Sequence, residues 1–155
     1  MNLQRLDHHF ILKLRHFSIP FARFAIFIVY FWFGILKVLG LSPASGIVTR
    51  LAQMTLPFLP TPLYVILFGW FEVLLAVLFL FPRLTRIVLP LLLLHLVTTF
   101  MPLILLPQES WSGFLVPTLE GQYIIKNVLI VASAMVIAAH LIPIEVAGKR
   151  RDDRQ

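Results

Sequence analysis

Four runs of about twenty mainly apolar residues, at positions 20–41, 62–81, 84–106 and 121–143, take up most of a 155-residue chain. Each is long enough to cross a hydrocarbon core of roughly 30 Å as a helix. The composition leaves them no other home. Hydrophobic residues make up 59% of the chain and charged residues 13%, against about half and a quarter in a soluble domain. That surplus exceeds what a globular core of this size can bury, so the solvent is a bilayer. The expected fold is all-α, an integral membrane four-transmembrane-helix bundle forming one domain.

The charges fall between the runs. Arg5, Lys13, Arg15 and Arg23 precede or open the first, Arg83 and Arg86 stand between the second and third, and Lys149, Arg150, Arg151 and Arg154 follow the fourth. The first and third loops carry only Arg50. Basic excess marks cytoplasmic loops, so both termini are expected in the cytoplasm, with the protein integral to the plasma (bacterial inner) membrane. An even number of spans is then required, and four satisfies it. The net charge of +6 thus reads as orientation signals and contacts with anionic headgroups, not as a nucleic-acid surface. The absence of cysteine excludes disulfide frameworks, thiolate metal sites and CxxC redox chemistry carried by this chain. The run after Arg23 is too long for a cleavable signal and no small-x-small site follows it, so it is expected to be retained as the first span.

The segments outside the spans have their own patterns. Residues 1–19 place Leu3, Leu6, Phe10, Leu14 and Phe17 at three- and four-residue spacing, with Arg5, Asp7, His8, His9, Lys13, Arg15 and His16 mostly between them. This predicts an amphipathic interfacial helix. His8 and His9 are adjacent, hence on different faces, and join no carboxylate cluster, which favours a solvated basic face over a metal site. Ser42-Pro43 reads as the start of a short helix over 44–55 in the first outer loop, ended by Pro57, Pro60 and Pro62. Residues 107–121 read as a polar loop and 144–155 as a basic cytoplasmic tail. Pro90 and Pro102 interrupt the third run, and near Pro102 the hydroxyls of Thr98 and Thr99 are expected to help satisfy the disturbed ladder.

Within the second run, Phe68-Gly69-Trp70-Phe71-Glu72 sets a carboxylate among apolar residues. An ionisable group inside a span marks a functional site by default. Glu72 lies about 15 Å from the outer end of its run and His95 about as far from the inner end of the next, so both fall near the midplane. Lys37 and Lys126 lie only about 6–8 Å below the outer surface. The expected intramembrane polar site therefore has an outer layer of Lys37, Lys126 and Asn127 and a middle layer in which Glu72 meets His95, directly or through water. Competing structural roles exist for each: snorkelling anchors for the lysines, a carbonyl-bonded histidine for His95, a register-fixing contact for Glu72. Gly34 and Gly69 each stand three residues before Lys37 and Glu72, which allows close helix approach and turns both charges inward. Trp70 and Glu120 complete the candidate set as supporting residues. Tyr30, Trp32 and the phenylalanines read as packing or lipid-facing groups. No nucleotide loop, nucleophile triad or HExxH motif is present, and His95 and His140 lie at different depths, so no metal or haem is expected.

Several segments together resemble a known family. Arg23 with Phe31-Trp32-Phe33-Gly34-Ile35-Leu36-Lys37 resembles the opening span of DoxX-like membrane proteins, and is closest to their YkgB-type inner-membrane branch. Gly69-Trp70-Phe71-Glu72-Val73 resembles that branch's glycine-x-x-glutamate second span, Pro107-Gln108-Glu109-Ser110-Trp111 its outer loop, and Gly121-Gln122-Tyr123-Ile124-Ile125-Lys126-Asn127 the start of its fourth span. The likeness covers roughly residues 20–140 in order. It departs where that branch has arginine in place of Gln122 and aspartate in place of Asn127. The resemblance implies a four-helix membrane bundle, and relatives include subunits of a thiosulfate:quinone oxidoreductase and proteins associated with oxidative stress.

On these grounds the expected role is a redox- or oxidative-stress-associated subunit that binds a quinone-like molecule. Lys37 or Lys126 would donate to a carbonyl while Glu72 and His95 relay protons. Electrons would come from a redox partner protein, so any enzymatic activity belongs to a quinone-linked oxidoreductase and not to this chain alone. The alternative is a non-enzymatic small-solute transporter, sensor or membrane scaffold built on the same groups. A second copy of the chain is the other partner considered.

Overall fold

The computed structural model describes residues 3–142; the expected basic tail and the last residue of the fourth run lie outside the described residues. In chain order, helix α1 runs Leu3–Val38, α2 Ser45–Thr55 and α3 Thr61–Phe79. A turn of 3-10 helix, Pro82–Leu84, leads into α4, Thr85–Phe100. Two single turns follow, α5 Pro102–Leu105 and α6 Pro107–Ser110, then strands β1 Trp111–Gly113 and β2 Val116–Pro117, and finally α7 Leu119–Lys126 and α8 Val128–Ala139. Four segments among the described residues are long and apolar enough to cross a membrane: Leu6–Val38, Thr61–Phe79, Pro82–Leu105 and Leu119–Ala139. Large apolar side chains such as Trp32, Leu67, Trp70, Leu74, Leu94, Val97 and Leu129 stand exposed along them, the surface such helices present to lipid.

Each long helix turns one stripe inward at three- and four-residue spacing. The stripe is Arg23, Ile26, Tyr30, Gly34 and Lys37 on α1; Val65, Gly69, Glu72, Ala76 and Phe79 on α3; Thr85, Val88, Leu92 and His95 on α4. This alternation averages 3.5 residues and keeps one seam facing the partners, as in coiled coils. The main core, around Ile26, Leu75, Ala76, Phe79, Val88, Leu92, Ala134 and Ile137, fills one half of the bundle. A second cluster of Ile47, Leu51, Leu106 and Ile124 ties α2 to α7 at the other. We call the end carrying α2 and the strands the hairpin end and the opposite one, near Arg23, the arginine end.

The tightest seam is between α1 and α3. A methyl group on Gly34 would sit 2.8 Å from the Gly69 carbonyl oxygen and 3.0 Å from Glu72 Cβ, and one on Gly69 would sit 2.8 Å from the Gly34 carbonyl oxygen and 2.9 Å from Lys37 Cβ. Matching Gly34 with Glu72 and Lys37 with Gly69 makes the helices antiparallel. Only glycine allows this backbone contact, the close approach that membrane helices use in place of a hydrophobic drive.

Local chemistry ends or bends the other elements. Gly40, at φ +69°, closes α1: its N–H donates to Lys37 O, and the Leu41 N–H donates to Leu36 O over 2.8 Å, a Schellman cap. The Asn127 side-chain amide donates to Tyr123 O and Ile124 O, while the Asn127 N–H bonds three residues back to Ile124 O. The tightened turn separates α7 from α8.

The structure departs from expectation in five places, two of them brief: α4 runs unbroken through Pro90, and the fourth run divides at Asn127 into α7 and α8. The amphipathic segment and the first span are one 36-residue helix that runs through Pro20. Proline there removes the bond to the His16 carbonyl alone, on a part of α1 that is exposed, so the loss is local. The polar loop holds a two-stranded antiparallel sheet pairing Trp111 with Pro117 and Gly113 with Val116, so the helical bundle carries a small β element. Thr118 caps α7 by accepting from the Gly121 N–H. Finally, Thr98 and Thr99 do not serve the carbonyl freed by Pro102. Both hydroxyls donate to His95 O, at 2.7 and 2.9 Å, because a threonine in a helix reaches the carbonyl one turn back on its own strand of the ladder.

Candidate functional site

Three helices converge on one buried hydrogen-bonded chain. Lys37 Nζ of α1 lies 2.6 Å from Glu72 Oε2 of α3. Glu72 Oε1 lies 3.2 Å from His95 Nε2 of α4. His95 Nδ1 lies 3.1 Å from the Tyr30 hydroxyl of α1 and 3.2 Å from Thr99 Oγ1. Lys37, Glu72, His95 and Tyr30 are 5%, 6%, 3% and 4% exposed. No buried side-chain nitrogen or oxygen among the described residues lacks a partner.

The hydrogen-bond pattern assigns roles. With Glu72 ionised and His95 neutral, the carboxylate accepts from His95 Nε2–H and Nδ1 is left as an acceptor. Thr99 directs its proton to His95 O, leaving the Tyr30 hydroxyl to donate to Nδ1. The chain then carries one cation and one anion. Its net charge is zero, the condition under which a buried pair avoids the full cost of isolated charges.

Aromatic rings wall the histidine. Phe68 stacks on it with centroids 4.8 Å apart, Tyr30 meets it edge-on at 5.0 Å and Phe71 lies at 5.9 Å. Lys37 Nζ is 5.8 Å from the centre of the Phe68 ring. Beyond Lys37, toward the hairpin end, a cleft of about 340 Å³ is lined by Lys37, Val38, Leu39, Gly40, Pro62, Val65 and Ile66. Lys37 supplies its one charged side chain, with a single hydrogen bond made of the three an ammonium offers.

The expected site residues divide. Lys37, Glu72 and His95 meet, with Gly34 and Gly69 at the crossing beside them. The anticipated two layers are one, since Lys37 reaches Glu72 across the glycine contact. Lys126 is exposed, its ammonium 5.1 Å from the Tyr123 ring centre. Asn127 is occupied with its own helix, Glu120 is exposed, and Trp70 points outward at the surface. None of these four is hydrogen-bonded to the chain of buried groups.

Tyr30 and Arg23 do more than the packing and the orientation that their sequence positions suggest. Tyr30 completes the chain. Arg23 is buried at the arginine end, where it donates to Phe79 O over 3.3 Å and to Thr85 Oγ1 over 2.6 Å, and Thr85 in turn donates to Pro82 O. It thereby caps the end of α3 and ties α1 to α4. The signal for both was spacing, since Arg23, Tyr30 and Lys37 stand seven residues apart on a single face.

No protein family, curated protein or solved structure matches the chain.

Proposed function

We propose that the chain is a DoxX-like integral protein of the plasma (bacterial inner) membrane, with both termini cytoplasmic, serving as a quinone-linked subunit in a redox or oxidative-stress response. The observation that carries this reading is the continuous Lys37–Glu72–His95–Tyr30 chain, buried between three helices and ending at a largely apolar cleft. A quinone-like head group is a flat apolar ring bearing carbonyl acceptors. Lys37 has donors to spare for such a carbonyl, and the cleft walls suit the ring. Lys37 passes a proton to the ring oxygen and regains one from water in the cleft, Glu72 stabilises its ammonium form, and the His95 Nε2–H bond, held in orientation by Tyr30 and Thr99, steadies that carboxylate.

A buried carboxylate paired with lysine and histidine is a costly device for holding helices together, which supports a chemical use for it. In this reading the electron donor is a redox partner protein, an arrangement that asks for no cysteine in the chain itself.

Quinone titration of the purified protein in mild detergent, with Glu72→Gln and His95→Ala beside the parent, tests the reading. Both folded variants are expected to lose quinone binding and, in cells, oxidant resistance. If both behave like the parent in each assay, the reading fails.

A further inference from the structure

From Tyr30 toward the arginine end the interior changes character. Across residues 24–29, 73–78 and 87–94, and along the whole of α8, the one polar side chain is Ser133, whose hydroxyl donates to Leu129 O of its own helix. The inward side chains of this zone, Ile26, Leu75, Phe79, Val88, Leu92 and Ile137, are no more than 1% exposed. Seven residues separate Tyr30 from Arg23 on α1 and ten separate His95 from Thr85 on α4, which makes the apolar zone about 10–15 Å thick. A water molecule held there would need two to four polar partners, and none is supplied. Toward the hairpin end the packing opens instead: Lys37 adjoins the cleft between the end of α1 and the start of α3, whose other walls are apolar.

We infer that the buried chain is a one-sided site. Protons and ligand reach it through the cleft beside Lys37, at the hairpin end alone, and neither passes to the arginine end. The bundle is thus a receptor-like pocket closed at its base, and passage of a solute through it is removed from the roles open to this fold. The inference rests on the apolar zone and the cleft, not on quinone, so the two claims fail separately.

The chain contains no cysteine, which allows a direct test without further engineering. Val65→Cys places a thiol in the cleft, and Ala76→Cys places one in the apolar zone, with Leu92→Cys as a second probe there should the first fail to fold. Each folded variant is reconstituted in vesicles and exposed to a membrane-impermeant thiol reagent on one side or the other, with full labelling after unfolding as the control. Val65→Cys is expected to react from the hairpin side at least about tenfold faster than from the arginine side, since water is excluded from the packed half. The zone cysteines are expected to react from neither. Reaction of Val65→Cys from both sides or from neither, or of a zone cysteine from the arginine side, overturns the inference.

Discussion

In an α-helix every Cα–Cβ bond tilts toward the helix N-terminus, and long side chains follow that lean. Lys37 lies in the last turn of α1, so its stem leans back into the bundle. Glu72 on the antiparallel α3 leans toward it, and the two meet at 2.6 Å. Lys126 stands near the start of its run, leans outward and ends exposed. Depth alone treats the two lysines as equivalent, and chain direction separates them. The pairing predicts strong non-additivity: Lys37→Met alone strands a buried carboxylate and costs about 3–5 kcal/mol, whereas Lys37→Met with Glu72→Leu costs far less. Thermal unfolding in detergent measures both, and additive losses would show that the pair does not exist. Tyr30→Phe leaves Thr99 within reach of His95 Nδ1 and is expected to cost about 1 kcal/mol, while Tyr30→Phe with Thr99→Val orphans that nitrogen at about 1–3 kcal/mol. Equal losses in the two would contradict the assigned roles. Lys37, Glu72 and His95 were legible in the sequence because a charge inside an apolar run is conspicuous. Tyr30 was not, because a phenol packs as readily as it bonds, and only its two-turn distance from Lys37 gives it away.

Among the elements, the α1–α3 seam decides whether the site forms. Gly34→Ala or Gly69→Ala would press a methyl group against a carbonyl oxygen of the other helix, an overpacking that costs about 1–3 kcal/mol and draws Lys37 away from Glu72. Gly46 in α2 has open space around it, so Gly46→Ala is expected to be neutral or to stabilise by up to about 1 kcal/mol through helix propensity. Unfolding midpoints of the three variants check the contrast, and a similar response from all three would place the close contact elsewhere. The helices themselves were legible from their apolar runs, and α2 from the serine–proline start and proline stop that bracket it. The strands were not, because Leu115, and not a glycine or asparagine, takes the positive φ of 57° at their turn. The continuity of α1 was hidden for a different reason: proline reads as a boundary, yet in a helix already supported on both sides it removes only one bond.

At the scale of the whole molecule, the bundle is a polar chain set above an apolar base, with exposed apolar flanks and an arginine clamp at the far end. Its 36-residue first helix measures about 54 Å, well beyond a hydrocarbon core of roughly 30 Å, so its N-terminal turns extend past the span. That the chain lives in a bilayer was plain from composition and run length. That the charged groups form one connected chain was not, because connection depends on helix direction and on a glycine contact that bring residues 35 and 23 positions apart into bonding distance. What the buried chain serves is the central matter, and mass spectrometry of the small molecules retained through gentle purification addresses it most directly. The comparison is between the parent and the folded Lys37→Met, Glu72→Leu double variant. Quinone retained by the parent and lost from the variant is the predicted result; no quinone in either, or equal amounts in both, would contradict the account.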